Sequence, residues 1–186
     1  MAGESENRRT KEDVIEAVQC FLELYKQLVV EKSAKFYDSK LLTETVFVDA
    51  DPSGSSEWEF TADETWCNIN GVLHGGAYGL IFDMCTALTM QAVSRPGYWE
   101  FLAGVTRTLN ISYLKAIPLG TKVRVRCQVE QHGRTMALIS GWMESMDGKV
   151  KYASAEQHKV YVPANPEYVA RLEAMKHARR RERLKL

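Results

Sequence analysis

Cysteine is scarce, with four copies in 186 residues and no CxxC pair among them. Cys20, Cys67, Cys85 and Cys127 are widely spread, which argues against a zinc site and against a disulfide framework. Reduced thiols in an intracellular compartment are the expectation. Neither sign of charge dominates, since Lys plus Arg and Asp plus Glu each number 24. Nothing in that balance points to nucleic acid or to an acidic membrane as partner. The opening stretch MAGESENRRTKED has no apolar segment and mixes acids with bases, so neither a secretory leader nor a transit peptide is expected in it. The most apolar run, within 66–93, is too short between polar residues to cross a bilayer and has Asp83 inside it. Internal repeats and low-complexity segments are also missing.

What the chain does have is enough apolar material, 45% of its residues, to bury one substantial core. The expected organisation is a helical extension over 1–40, one main domain over 41–163 and a basic helix over 164–186. Thr10 and Asp13 make a capping-box start, after which Val14, Val18, Phe21, Leu22, Tyr25, Leu28 and Val29 recur at helical spacing. Leu41 to Asp49 is rich in β-branched residues and ends at the turn Asp51-Pro52-Ser53-Gly54. Trp58, Phe60 and Ala62 then alternate with polar neighbours, so two antiparallel strands are expected there. From Gly104 the period becomes two. Val105, Leu109, Ile111 and Tyr113 share a face; Val123, Val125, Cys127 and Val129 alternate with charged residues; Met136, Leu138 and Trp142 follow the turn His132-Gly133-Arg134. A further turn at Asp147-Gly148 leads to a strand from Tyr152 to Val162, and Asn165-Pro166 opens a last helix. The fold class is therefore α+β, with a curved antiparallel sheet wrapped around one long central helix.

That helix comes from the stretch Trp66 to Val93. Gly71, Gly75 and Gly76 break the strand before it, and the residues from Ala77 onward are apolar or small except Asp83, Thr86, Thr89 and Gln91. A helix apolar on nearly all sides is expected to be buried. A carboxylate inside it costs about 1 to 7 kcal/mol to desolvate unless something holds it. Asp83 therefore needs a reason to be there.

Asn68, five further residues, His74-Gly75-Gly76, six more and Asp83, followed by antiparallel strands, resemble the hotdog-fold acyl-CoA thioesterases. The likeness is to the phenylacetate-degradation type and the human thioesterase superfamily members, over roughly 43–162. The resemblance implies hydrolysis of a thioester between an acyl group and coenzyme A. It implies that the N–H of Gly75 and the side chain of Asn68 bind the thioester oxygen, with His74 and Gly76 beside them. Asp83 would activate water or attack directly, and Thr106, standing where the family carries serine, would help place the water. It also places Arg134 near the coenzyme A nucleotide. Tyr78, Trp99 and Phe101 are candidates for the acyl pocket. No metal and no separate cofactor are implied, because coenzyme A arrives as part of the substrate and a thioester is already activated.

Physical chemistry supports these roles separately. N–H groups at a helix start lack intrahelical partners and sit at the positive end of the macrodipole, which suits a developing oxyanion. Gly76 and Asp83 lie seven residues apart, on nearly the same helix face but about 10 Å apart along the axis. One carbonyl carbon needs both groups within about 3 to 4 Å. Two antiparallel copies across a twofold axis meet that requirement, so a homodimer with shared sites is expected, alone or paired into a dimer of dimers.

Plain structural roles compete with several of these assignments. His74 would serve equally as a turn residue, Asn68 as a plain turn residue, Arg134 as a solvated hairpin residue, and Tyr78, Trp99 and Phe101 as ordinary core. The Arg179–Arg183 run suits the solvated end of a helix. The competing function is a catalytically weak acyl-CoA-binding or regulatory protein of the same fold.

Overall fold

The computed structural model describes residues 9–32, 37–101, 104–183 and 185. Residues 1–8, most of the stretch read above for a leader, lie outside them. Helix α1 (Lys11–Glu31) begins with the expected capping box, in which Thr10 and Asp13 each bind the other's backbone N–H. Its buried stripe is Val14, Ala17, Val18, Phe21, Leu24 and Leu28, with Cys20 beside them. Helix α2 (Tyr37–Glu44) replaces the first half of the strand expected over 41–49, and the strand β1 (Val46–Asp51) is correspondingly short. Side-chain contacts explain the change. Lys40 pairs with Glu44 at 2.5 Å one turn on, Glu44 accepts from the Trp66 indole at 2.5 Å, and Leu41 and Leu42 are both buried.

Strand β2 (Ser55–Thr61) follows the Asp51–Gly54 turn, and the central helix α3 (Gly75–Thr89) continues into a 3₁₀ turn over Met90–Ala92. Then come β3 (Val105–Tyr113), β4 (Lys122–His132), β5 (Met136–Ser145), β6 (Lys151–Val160) and α4 (Pro166–Arg183). The strands form one six-stranded antiparallel sheet in the order β1-β2-β4-β5-β6-β3, and α3 packs against β2 through β6.

β4 has the expected inward set, Val123, Val125, Cys127 and Val129. β5 is in the opposite phase to the one read from sequence: Ala137, Ile139, Gly141 and Met143 face inward, and Met136, Leu138 and Trp142 face outward. Helix clearance decides this phase. A Cβ on Gly141 would lie 3.1 Å from both Phe82 and Thr86, so α3 comes as close as it does only because glycine faces it there.

The terminal helices run antiparallel and are joined by ion pairs. Arg171 grips Glu31, Arg179 binds Glu23, and Arg183 reaches Asp13 at 3.2 Å and Glu16 at 3.5 Å. The basic end of α4 is thus partly matched to the acidic face of α1, rather than being wholly solvated. α4 starts as expected, with Asn165 accepting from the Glu167 N–H and proline at the first helical position. No helix among the described residues is long and apolar enough to span a membrane.

Candidate functional site

The start of α3 is shaped by a tight loop. Asn68 Oδ1 accepts from the Asn70 N–H at 2.9 Å, and Gly71 takes a positive φ of 69°. The His74 N–H bonds the Trp66 carbonyl at 2.8 Å, which folds the loop back toward the helix. Because the Asx turn uses the oxygen of Asn68, its Nδ2 donor is the group left for a ligand. His74 is the N-cap, and its Nδ1 accepts the N–H of Gly76 at 2.9 Å. The imidazole therefore has a structural task, and the N–H of Gly76 is already taken. Gly75, the first helical residue, is exposed, and Tyr113 donates to its carbonyl at 3.1 Å. That bond fixes the direction of the first peptide unit of α3.

Asp83 is half-buried rather than enclosed. The helix is covered on most sides, but Gly76, Gly79, Leu80, Asp83 and Ala87 make a stripe that is exposed or only partly covered. The expectation of burial all round is corrected there: β3 and β6 reach Asp83 through Thr106 and Gln157 but leave the stripe only partly covered. Asp83 Oδ1 accepts from the Thr106 hydroxyl at 2.6 Å and from Gln157 Nε2 at 2.7 Å. Gln157 also donates to Thr106 at 3.0 Å and accepts from the Thr86 hydroxyl at 2.9 Å. Asp83 Oδ2 has no hydrogen bond among the described residues.

Lys159 lies two residues beyond Gln157 on the same inward face of β6 and is 6% exposed. Burial lowers its pKa, and the Asp83 carboxylate opposes that shift. Sequence reading passed over Gln157 and Lys159, although a usable signal was there: two polar residues continue the inward phase of Ala153 and Ala155. The role of Tyr113 had no such signal.

The remaining candidates stand elsewhere. Tyr78 is buried edge-on to Tyr113 with ring centroids 5.1 Å apart, and burial raises its hydroxyl pKa. Trp99 is a buried pin at φ 49°, donating its indole N–H to the Gly133 carbonyl at 2.8 Å and standing edge-on to Tyr161. Arg134 is exposed on the β4–β5 turn and lines a cleft with Arg95, Tyr98 and Tyr161, away from the Asp83 bonds. No group of three or more His, Cys, Asp or Glu suited to a metal ion occurs among the described residues, and the four cysteines are unpaired. Among the described residues, the assembled groups are a backbone N–H and an amide donor at a helix start, and a carboxylate with one oxygen unbonded two turns along.

Residues 70–151 match the family model described as Thioesterase superfamily. Human acyl-coenzyme A thioesterase 13 is 27% identical over 101 residues, covering 54% of this chain and 68% of that protein. Among solved structures, the E. coli PaaI protein from the phenylacetic acid degradation operon superposes with a TM-score of 0.64 at 13% identity. That match covers 84% of this chain and 99% of PaaI. A hypothetical thioesterase protein with coenzyme A from Streptococcus pneumoniae TIGR4 gives 0.58 at 18% identity, covering 66% of this chain and 89% of that one. Those likenesses extend to fold, and the sequence match extends to the segment holding HGG and Asp83. Residues 70–151 therefore match the thioesterase superfamily in sequence, and the chain has a hotdog-like fold, an antiparallel sheet around a central helix, with extra helices at both ends.

Proposed function

We propose that this protein hydrolyses acyl-CoA thioesters to the free acid and coenzyme A, at a site completed by two subunits. The observation that carries the reading is the Asp83 carboxylate on the partly open stripe of α3, held through Oδ1 by Thr106 and Gln157, with Oδ2 making no hydrogen bond among the described residues. A water donating one proton to Oδ2 and the other to Thr106 Oγ1 keeps a lone pair for attack. That oxygen adds to the thioester carbon as its proton passes to Asp83. The resulting oxyanion is met by the Gly75 N–H and Asn68 Nδ2, where the helix start supplies partial positive charge. Collapse breaks the carbon–sulfur bond, and the departing thiolate takes the proton from Asp83.

Gly75 and Asp83 are eight residues apart on a regular helix, about 12 Å along the axis, too far to serve one carbonyl. A twofold partner supplies the missing half. Support comes from the partly covered stripe of α3 and from β3, an edge strand on which Val105 and Tyr113 are 55% and 58% exposed.

Release of coenzyme A thiol from a panel of acyl-CoAs, followed with a colorimetric reagent, tests the activity. Turnover by the wild type and a drop of about a hundredfold or more in Asp83→Asn are expected. No release from any member, together with tight coenzyme A binding, favours the binding-protein reading instead. A single turnover in water labelled with heavy oxygen tests the base role: label in the first product acid supports it, and its absence means direct attack by Asp83.

A further inference from the structure

Helix α3 starts with two glycines in a row, and neither has a Cβ to restrict its backbone. That freedom lets a substrate come close, but it leaves the direction of any backbone donor to be fixed by other groups. Of the first three N–H groups of the helix, two are already used. Gly76 donates to His74 Nδ1 at 2.9 Å, and Ala77 donates to the His74 carbonyl at 2.9 Å. Gly75 alone keeps an N–H with no partner among the described residues.

Two side chains hold the peptide next to that donor. The amide joining Gly75 and Gly76 is gripped at both ends, its N–H by His74 Nδ1 and its carbonyl by the Tyr113 hydroxyl at 3.1 Å. His74 is the cap of α3 itself, whereas Tyr113 reaches in from another element. It is the last residue of β3 and shares the inward phase of Leu109 and Ile111, opposite Ala153 of β6. The buried Tyr78 ring, one turn along α3, stands edge-on to it with centroids 5.1 Å apart and limits its swing. Tyr113 is nevertheless 58% exposed, so water competes for both its hydroxyl and the Gly75 carbonyl. A bond made against that competition adds little to stability, and its main effect is on direction. β3 thus grips the stripe of α3 at two places, with Tyr113 on the Gly75 carbonyl and Thr106 on Asp83.

We propose that Tyr113 is a positioning residue for thioester hydrolysis: its hydroxyl clamps the Gly75–Gly76 peptide against His74 and so aims the Gly75 N–H at the oxygen where charge develops. The proposal rests on the thioesterase reading above. Without the hydroxyl, the Gly75 carbonyl is left to water and the two glycines regain their freedom, so the donor is no longer held in place before the reaction begins. Removing an oxyanion donor outright costs about a hundred- to a thousandfold in kcat. Loosening one through a single neutral hydrogen bond costs about 2- to 13-fold. The uncharged ground-state carbonyl gains less from the same aim, so the loss falls on kcat rather than KM.

The test measures thiol release from acyl-CoAs by the wild type and Tyr113→Phe, each checked for a native circular dichroism spectrum, cooperative melting and dimer content. In Tyr113→Phe, kcat should fall about 3- to 10-fold with KM within about twofold. Mixed dimers separate aim from stability. In a dimer of Asp83→Asn with Asn68→Ala, the one intact site takes its helix start from the Asp83→Asn subunit and its carboxylate from the other. Tyr113→Phe added to the Asp83→Asn subunit should lower the recovered activity by the same 3- to 10-fold or so. Added to the Asn68→Ala subunit, it should leave the recovered activity within about twofold. Wild-type kcat in folded, dimeric Tyr113→Phe, or equal losses from the two placements, overturns the positioning role while leaving the thioesterase reading intact. Thiol release from no acyl-CoA by the wild type overturns both.

Discussion

Replacing Gln157 with methionine removes the one residue that touches Asp83, Thr106 and Thr86 together, and keeps nearly the same length and volume. Four bonds go: 2.7 Å to Asp83 Oδ1, 3.4 Å to the Asp83 carbonyl, 3.0 Å to Thr106, and 2.9 Å from Thr86. No partner is orphaned, because Thr86 still donates to the Phe82 carbonyl at 2.5 Å and Asp83 still accepts from Thr106 at 2.6 Å. Neutral hydrogen bonds net about 0.5–1.5 kcal/mol and bonds to charge about 1.5–3. With the apolar methionine offsetting part of that, stability should fall by about 1–3 kcal/mol, which lowers Tm by about 2–4 °C for each kcal/mol. The catalytic effect is separable. If the bond to Asp83 is fully expressed in the transition state, its loss slows kcat about 10- to 150-fold at about 1.4 kcal/mol per decade. KM should stay within about threefold if Gln157 acts only through Asp83, the proposed base. Thiol-release kinetics on Gln157→Met, Thr106→Val and the double variant give the measurement. A coupling energy above about 0.5 kcal/mol is expected between the two sites. Wild-type kcat in a folded Gln157→Met protein, or strictly additive effects, would refute the idea that Gln157 positions the carboxylate.

Other expectations follow from single contacts. Asp83→Asn and Asn68→Ala subunits, each inactive alone, should recover about a quarter of wild-type activity when unfolded and refolded together at equal amounts, because half the dimers are mixed and each mixed dimer has one intact site; no recovery from mixed dimers detected by tagging would sink the shared site. Gly104→Ala should cost at least about 3 kcal/mol, read as a shift in the urea midpoint, because Gly104 has φ +87° and a Cβ there would sit 2.5 Å from the Trp99 ring and 2.8 Å from the Val160 carbonyl. Burial, and then the nearby Arg95 charge, lower the pKa of His132 from its ordinary 6.5. A base with a lowered folded-state pKa contributes stability that is complete above about pH 6.5 and fades as the pH falls through the folded value. The wild type should therefore lose more stability between about pH 7.5 and 5.5 than His132→Gln, whose amide can still meet the Tyr98 hydroxyl. Equal losses in the two proteins would remove His132 from the pH dependence.

Local chemistry made much of this protein legible in advance. Thr10 and Asp13 start α1, and Asn165 and Pro166 start α4, because caps act on their own first turn and need nothing distant. The alternation of β4, the break at His74-Gly75-Gly76 and the spacing to Asp83 are likewise properties of a short window, so the sequence by itself determined the central helix and the candidate carboxylate. Only the tertiary structure decided the rest. Leu41–Glu44 became helix because Trp66 and Lys40 meet Glu44 there. β5 took its phase from the need to put Gly141 under Phe82 and Thr86. Gln157 joined Asp83, and Tyr113 joined Gly75, across 74 and 38 residues of chain. α1 came to rest over the helix face beyond Asp83, where Phe21 packs with Ala87 and Gln91. A hydrogen bond or a wall between distant residues depends on which surfaces the packed core leaves facing each other, and no periodicity within either segment encodes that pairing.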